Sequence, residues 1–471
     1  MARVGRTIGV SALVVVLAGG AYATADAYDV VPGVVTLAAE PDPAAPFPEA
    51  PGAGTVGAGA QVLADLDAAA PVPVAAQVQA LVQGLVTDPR VGPSVGVVVA
   101  DALTGDVLAG HAADAARTPA STAKLVTGVA ALTRLGSERT FDTTARQGAG
   151  DQVVLVGGGD MMLAAGVGDP DAVNGRAGLA DLAAQVALQL QLVGRDTVTV
   201  ALDDTLFTGP ALAPGWDASD VNNGFVAPVT PLAVDVAKIG SGDYPPRRTD
   251  PAMHAATEFA ARLGELGITV TGTPTRVREA ATGDVLGVVS SAPASEVTQY
   301  FLDTSDNTIT EVVARMVALD LDLPGSFEGA TQAVLRTVQT LGADTAGAVL
   351  ADASGLADGS ALPPDLLLGL LQLVVDPAHP ELREVGTGMP VGGLTGTLAQ
   401  RFTSGDGTGL VRAKTGSLTS VTSLAGTVLD ADGRLLLFVA MADQTGAVGQ
   451  AQPRAAIDGF VTGLAGCGCS G

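Results

Sequence analysis

The sequence predicts an α+β fold, and three observations carry the prediction. A β-hairpin signal lies near residue 100, a second lies near residue 430, and capped helical stretches fill much of the chain between and after them. Strand-like and helical stretches thus both occur, and no internal repeat at solenoid or propeller spacing is present. The 471 residues are 47% apolar and 15% charged, which supplies ample core and excludes a globally disordered polymer. That length suggests two or three domains.

The elements follow in chain order. Met1 to Arg6 carries Arg3 and Arg6, and an apolar run from Ile8 through Ala18 continues in small residues to Ala25. Basic then apolar is the order of an export signal. Ala21-Tyr22-Ala23 and Ala23-Thr24-Ala25 offer small-x-small cleavage sites; uncleaved, Thr7 to Ala25 is near the lower length limit for a membrane anchor. Residues 1–28 are thus expected to be a signal peptide or membrane anchor, with the rest of the chain extracytoplasmic. Residues 29–75 are rich in Pro, Ala and Gly, as in Glu40-Pro41-Asp42-Pro43, and read as a linker with partial polyproline stiffness.

Val97-Val98-Val99 and Val107-Leu108 flank Leu103-Thr104-Gly105-Asp106, a hairpin signal. Thr118-Pro119 supplies an N-cap residue and a proline at the first helical position, with Leu125, Val129 and Leu132 following at helical spacing. The middle region, Phe141 to Asp284, mixes strands (Val153–Val156, Val198–Leu202) with helices (Leu179–Leu192, Met253–Leu266). Thr308-x-x-Glu311 reads as a capping box ahead of an apolar face of Ile309, Val312, Val313, Met316 and Val317. Leu418–Leu429 and Arg434–Met441 read as strands joined by the tight turn Asp430-Ala431-Asp432-Gly433, and Pro453 to Leu464 as a closing helix.

Composition removes several functions. Lys+Arg 24 against Asp+Glu 49 gives a net charge of −25, which argues against a nucleic-acid partner because phosphate binding needs clustered cations. Cys467 and Cys469 are the only cysteines, so neither a disulfide scaffold nor a cysteine-rich metal site can form. His111, His254 and His379 have no HExxH spacing, which disfavours a zinc peptidase.

Only three lysines occur, Lys124, Lys238 and Lys414, and two of them sit in informative contexts. Lys124 closes Ser121-Thr122-Ala123-Lys124. Lys414 opens Lys414-Thr415-Gly416, followed by Ser417, and Ser305-Asp306-Asn307 lies between. Positions three apart share a helix face, so Lys124 can reach the Ser121 hydroxyl. A lysine becomes a usable base when burial or a second cation lowers its pKa, and Lys414 can be that cation. Ser305, at a helix N-terminus, can relay a proton to a leaving amine, with Asn307 orienting substrate or Lys124. Asp306 is more simply a helix cap. Lys414 and Thr415 can bind a carboxylate, Gly416 lets substrate backbone approach, and the N–H groups of Ser121 and Ser417 can form an oxyanion hole.

The ordered set S-x-x-K, S-x-N, K-T-G resembles the signature of penicillin-binding proteins and serine β-lactamases. The first interval is 184 residues and the second 109. The first is far longer than in compact class A β-lactamases and implies an inserted domain. Leu155-Val156-Gly157-Gly158-Gly159-Asp160, Asp203-Asp204 with Phe207 and Trp216, Asp352-Ala353-Ser354-Gly355-Leu356, and Gly393-Leu394-Thr395-Gly396-Thr397-Leu398 resemble further landmarks of one family. That family is the class C, low-molecular-mass penicillin-binding proteins, the D-alanyl-D-alanine carboxypeptidases/endopeptidases.

The resemblance spans about Val74 to Leu464. It implies a transpeptidase-type fold, an antiparallel sheet flanked by helices, with a catalytic domain of residues 76–140 plus 285–471 and an insert of 141–284. It implies acyl transfer to Ser121 from the D-Ala-D-Ala end, or a D-amino-acid cross-bridge, of peptidoglycan stem peptides. β-Lactams would be covalent inhibitors, and no metal or organic cofactor is needed. A β-lactamase or esterase on the same fold is the enzymatic alternative, and a penicillin-sensing or wall-binding module the non-enzymatic one. Lys238 reads as a surface or structural residue and Asp160 as the cap of its glycine turn. The Lys-poor, Ala- and Gly-rich composition fits a high-GC genome and, with peptidoglycan as substrate, an actinobacterial source.

Overall fold

The computed structural model describes residues 16–28, 30–32, 34, 37, 67–446 and 449–468. Residues 16–27 form a helix. The first half of the expected export signal, most of the linker, and Cys469 lie outside the described residues. Among the described residues no helix is long and apolar enough to cross a membrane.

In the body from residue 67 onward, the two predicted hairpins join in one antiparallel sheet. Its order is Val411–Leu418, Val421–Leu429, Leu435–Ala442, Val95–Asp101, Val107–His111. The start and the end of the body are thus neighbours: Val98 opposes Val439 and Gly96 opposes Met441. Successive strand residues face opposite sides, and here both sides are covered. Val98, Ala100, Leu437, Val439 and Met441 face one helical layer. Val97, Val99, Leu436, Phe438 and Ala440 face the other, with helices Ala75–Val86 and Ala451–Ala465. Burial on two faces is why these strands read as continuous apolar runs rather than as alternation.

The first layer centres on helix Ala123–Leu135, whose Leu125, Val126, Val129 and Leu132 are buried. It packs against helices Ala294–Thr304, Asn307–Asp320 and Phe327–Thr340. Between Leu135 and Ala294 the chain builds a second, mixed sheet. Val285–Ser290, Asp142–Gln147, Gln152–Val156 and Thr197–Asp203 lie side by side, the last pair parallel. Helices Leu179–Leu192 and Pro251–Glu265 share its core. The boundary expected after residue 284 falls just before Val285–Ser290, which pairs with Asp142–Gln147; the chain leaves the second sheet after Ser290.

Three local expectations are corrected. The helix expected to start at Thr118-Pro119 does not start there: a 3₁₀ turn, Ala120–Thr122, precedes the α-helix, and the Thr118 N–H instead donates to Asp443 at 3.2 Å. Leu418–Leu429 is not one strand. It breaks at Thr419-Ser420, a two-residue turn closed by the Leu418–Val421 pair, with none of the Gly, Asn or Asp that usually mark such a turn. Lys414-Thr415-Gly416 lies within strand Val411–Leu418 rather than at its head.

Candidate active site

Ser121 sits in the 3₁₀ turn that feeds helix Ala123–Leu135. The preceding Ala120 is fully buried with φ 47°, a left-handed conformation that costs a non-glycine residue on the order of 1–3 kcal/mol and persists only where its surroundings enforce it. Here they do. Thr122 Oγ1 and Ser423 Oγ each donate to the Pro119 carbonyl at 2.7 Å, pinning the turn to itself and to the sheet. Gly355, at φ 76°, passes so close that a Cβ there would lie 1.9 Å from the Ala120 carbonyl oxygen. A Cβ on Gly416 would lie 2.0 Å from Ser423 Oγ and 2.6 Å from the Pro119 oxygen.

Lys124 is completely buried. Its Nζ donates to Ser121 Oγ at 2.9 Å, to Asn307 Oδ1 at 2.6 Å and to the Ser354 carbonyl at 2.8 Å. Burial brings its pKa from 10.5 down to about 8, although Asp352, Glu311 and Asp306 pull the other way. The Ser354 carbonyl is itself held from beneath. Glu311 accepts the Ser354 N–H at 2.8 Å. Asp352 accepts the N–H groups of Gly355 at 2.7 Å and Ala357 at 2.8 Å, together with Trp216 Nε1 at 2.7 Å. Burial, then Asp352, raises the Glu311 pKa to about 8.

Ser305 ends helix Ala294–Thr304 in a left-handed conformation, φ 60°. Asp306 caps the next helix by accepting the Ile309 N–H at 2.9 Å, as its position suggested. The cap displaces the expected Thr308-x-x-Glu311 box: Thr308 is already helical and its hydroxyl accepts the Ala227 N–H at 2.9 Å, while Glu311 turns inward to Ser354. Asn307 bridges, accepting from Lys124 through Oδ1 and donating through Nδ2 to the Phe225 carbonyl at 2.9 Å.

Lys414 is also completely buried. Its Nζ donates to Ser305 Oγ at 2.9 Å and to the Thr415 carbonyl at 3.1 Å. Burial and the Lys124 ammonium hold it well below the ordinary lysine range. Thr415 Oγ1 lies 2.8 Å from Thr397 Oγ1, and Ser417 Oγ accepts from Arg454 at 2.9 Å.

The three motifs, 184 and 109 residues apart, therefore meet as two serine–lysine pairs, Ser121–Lys124 and Ser305–Lys414, with Asn307 on the first lysine. Thr415, Gly416 and Ser417 run along the edge strand beside them. Sequence reasoning missed Glu311, the Ser354 carbonyl and Arg454. Of the residues set aside, Lys238 pairs with Asp235 at 3.3 Å, and buried Asp160 accepts the Met162 N–H at 2.7 Å, a local turn role. Among the described residues no cluster of His, Cys, Asp and Glu could hold a metal ion.

Comparison with known proteins agrees with this geometry. The model of the D-Ala-D-Ala carboxypeptidase 3 (S13) family matches residues 78–245 and 244–464. A carboxypeptidase of Mycobacterium tuberculosis is 36% identical over 439 residues, covering 90% of both chains. Carboxypeptidase DacB of Mycolicibacterium smegmatis is 35% identical over 440 residues, 92% of this chain and 91% of its own. In fold, the chain is similar to penicillin-binding protein 4 of Haemophilus influenzae, with a TM-score of 0.65 at 22% identity over 82% of this chain and 98% of that one. The chain belongs to the D-Ala-D-Ala carboxypeptidase 3 (S13) family.

Proposed function

We propose that this chain, a penicillin-binding serine D-Ala-D-Ala carboxypeptidase/endopeptidase, works through an acyl-enzyme on Ser121 with Lys124 as its base. The observation that carries this reading is the set of three acceptors around Lys124 Nζ. Asn307 Oδ1 and the Ser354 carbonyl are fixed acceptors and retain two N–H groups of the neutral amine. The lone pair is then left at Ser121 Oγ, 2.9 Å away, where it takes the hydroxyl proton as Oγ attacks the carbonyl carbon of the penultimate D-Ala. The N–H groups of Ser121 and Ser417 receive the oxyanion.

When the C–N bond breaks, the leaving amine takes the Ser305 proton; Lys414 replaces it along their 2.9 Å hydrogen bond and regains a proton from Lys124, the one taken from Ser121, which leaves Lys124 neutral. Water, deprotonated by Lys124, then releases the shortened peptide and restores Ser121. Thr415, Gly416 and Ser417 line the strand on which the substrate lies. We assign residues 141–290 to the insert, and residues 1–28 to export or anchoring, so that the body acts outside the cytoplasm on peptidoglycan stem peptides.

A pentapeptide ending in D-Ala-D-Ala tests the reading. One D-Ala should be released per peptide, and both benzylpenicillin and Ser121→Ala should stop it. Release that persists in Ser121→Ala, or rapid catalytic hydrolysis of penicillin without D-Ala release, would overturn it.

A further inference from the structure

Lys414 is an awkward counter-ion for a carboxylate arriving from solvent. It is completely buried and already engaged by Ser305 Oγ and the Thr415 carbonyl. Arg412, on the same strand, is half-buried and donates to the Thr387 and Met389 carbonyls, and the exposed positive charge beside Ser417 comes from another element. Thr415 and Ser417 alternate with Gly416, so their hydroxyls share one face of strand Val411–Leu418. Nη2 of Arg454, on the closing helix Ala451–Ala465, donates to Ser417 Oγ at 2.9 Å.

Arg454 is exposed and makes no ion pair among the described residues. Three charged or titratable groups face it: Arg401, Asp458 and Tyr244. Asp458, one turn further along the helix, is bound by Arg401 and so does not neutralise Arg454. Tyr244 comes from the insert and packs edge to face on Phe225, 5.5 Å between ring centres. The Phe225 carbonyl in turn holds Asn307. Arg454 therefore stands beside Ser417 as an exposed cation with no ion pair among the described residues, in a chain of net charge −25.

We propose that Arg454 is a specificity-determining residue. Its guanidinium, steadied by Ser417 Oγ, forms with the Thr415 and Ser417 hydroxyls the receptor for the substrate's C-terminal carboxylate, and Arg454 rather than Lys414 supplies the charge. The assignment rests on the reading that Ser121 is acylated by peptides ending in D-Ala-D-Ala. Guanidinium suits a carboxylate because it presents paired donors in one plane.

The test uses the purified protein, a D-Ala-D-Ala peptide as the free acid, and the same peptide as its C-terminal amide. Arg454→Ala should lower kcat/KM on the free acid by roughly 10- to 100-fold, the worth of a hydrogen bond to a charged group. The loss should appear mainly in KM, with the amide changing less than about threefold. Arg454→Lys should recover part of the loss. Equal losses on acid and amide, or none on the acid, would overturn the assignment while leaving acyl transfer at Ser121 standing. A folded wild type that releases no D-Ala from the free acid would instead sink the reading on which it rests.

Discussion

On the proposed mechanism, the protonation of Lys124 sets the pH at which Ser121 reacts. An ordinary lysine titrates at 10.5, and burial holds Lys124 at about 8. At pH 7 the neutral fraction therefore rises from about three in ten thousand to about one in ten. That gain of roughly 300-fold in base corresponds to about 3 kcal/mol of barrier removed at neutral pH. The sign is fixed: only the neutral amine accepts the Ser121 proton, so acylation speeds up as pH rises toward the Lys124 value and levels off above it. The second-order rate of acylation by a fluorescent penicillin, followed by stopped flow from pH 5.5 to 9.5, should climb about tenfold per pH step on the acid side, with a midpoint near 8. A rate that is flat across this range, or that falls as pH rises from 6 to 8, would refute Lys124 as the base.

Asn307→Ala removes the acceptor 2.6 Å from Lys124 Nζ. It should slow acylation by roughly 10- to 100-fold while the melting temperature changes little, as read by the same stopped-flow assay beside a thermal scan. Gly355→Ala places a Cβ 1.9 Å from the Ala120 oxygen at a φ of 76°. It should cost more than about 2 kcal/mol of stability in urea unfolding and misplace Ser121 as well. Arg434→Ala strips a buried partner from Asp101, 2.5 Å away, and releases the carbonyls of Ala68 and Ala70. The expected loss is about 3–5 kcal/mol of stability, with D-Ala release per folded molecule preserved.

The sequence carried the site unevenly, for identifiable reasons. Ser121 and Lys124 were legible as a pair because a three-residue spacing fixes their approach on any helical turn. Asp306 as a cap was legible because capping is local chemistry, whereas Thr308-x-x-Glu311 misled: the pattern matches a capping box, but Glu311 is completely buried and serves a loop 43 residues away. The contacts of Lys124 with Asn307 and of Lys414 with Ser305 span 183 and 109 residues. Spacing alone does not reveal them: orienting Lys124 was one of two roles expected of Asn307, and the Lys414–Ser305 contact was not expected. The Ser354 carbonyl could not be foreseen as a ligand of Lys124, since every residue has one. Arg454 carries no motif; only the packing of the closing helix brings it to Ser417.

The fold shows the same division. Helix Leu179–Leu192 and the two hairpins followed from local periodicity and turn chemistry. The pairing of Val95–Asp101 with Leu435–Ala442 joins segments more than 300 residues apart, and no local signal encodes it. Likewise Val285–Ser290 pairs with Asp142–Gln147, far back in the chain, and no local signal encodes that pairing.

The central claim is a covalent acyl-enzyme on Ser121, and intact-mass analysis of the soluble protein during incubation with benzylpenicillin tests it most directly. The expected result is one long-lived adduct per chain, carried by the peptide containing Ser121 and lost in Ser121→Ala. A folded protein that gains no adduct, or an adduct that survives in Ser121→Ala, would contradict it.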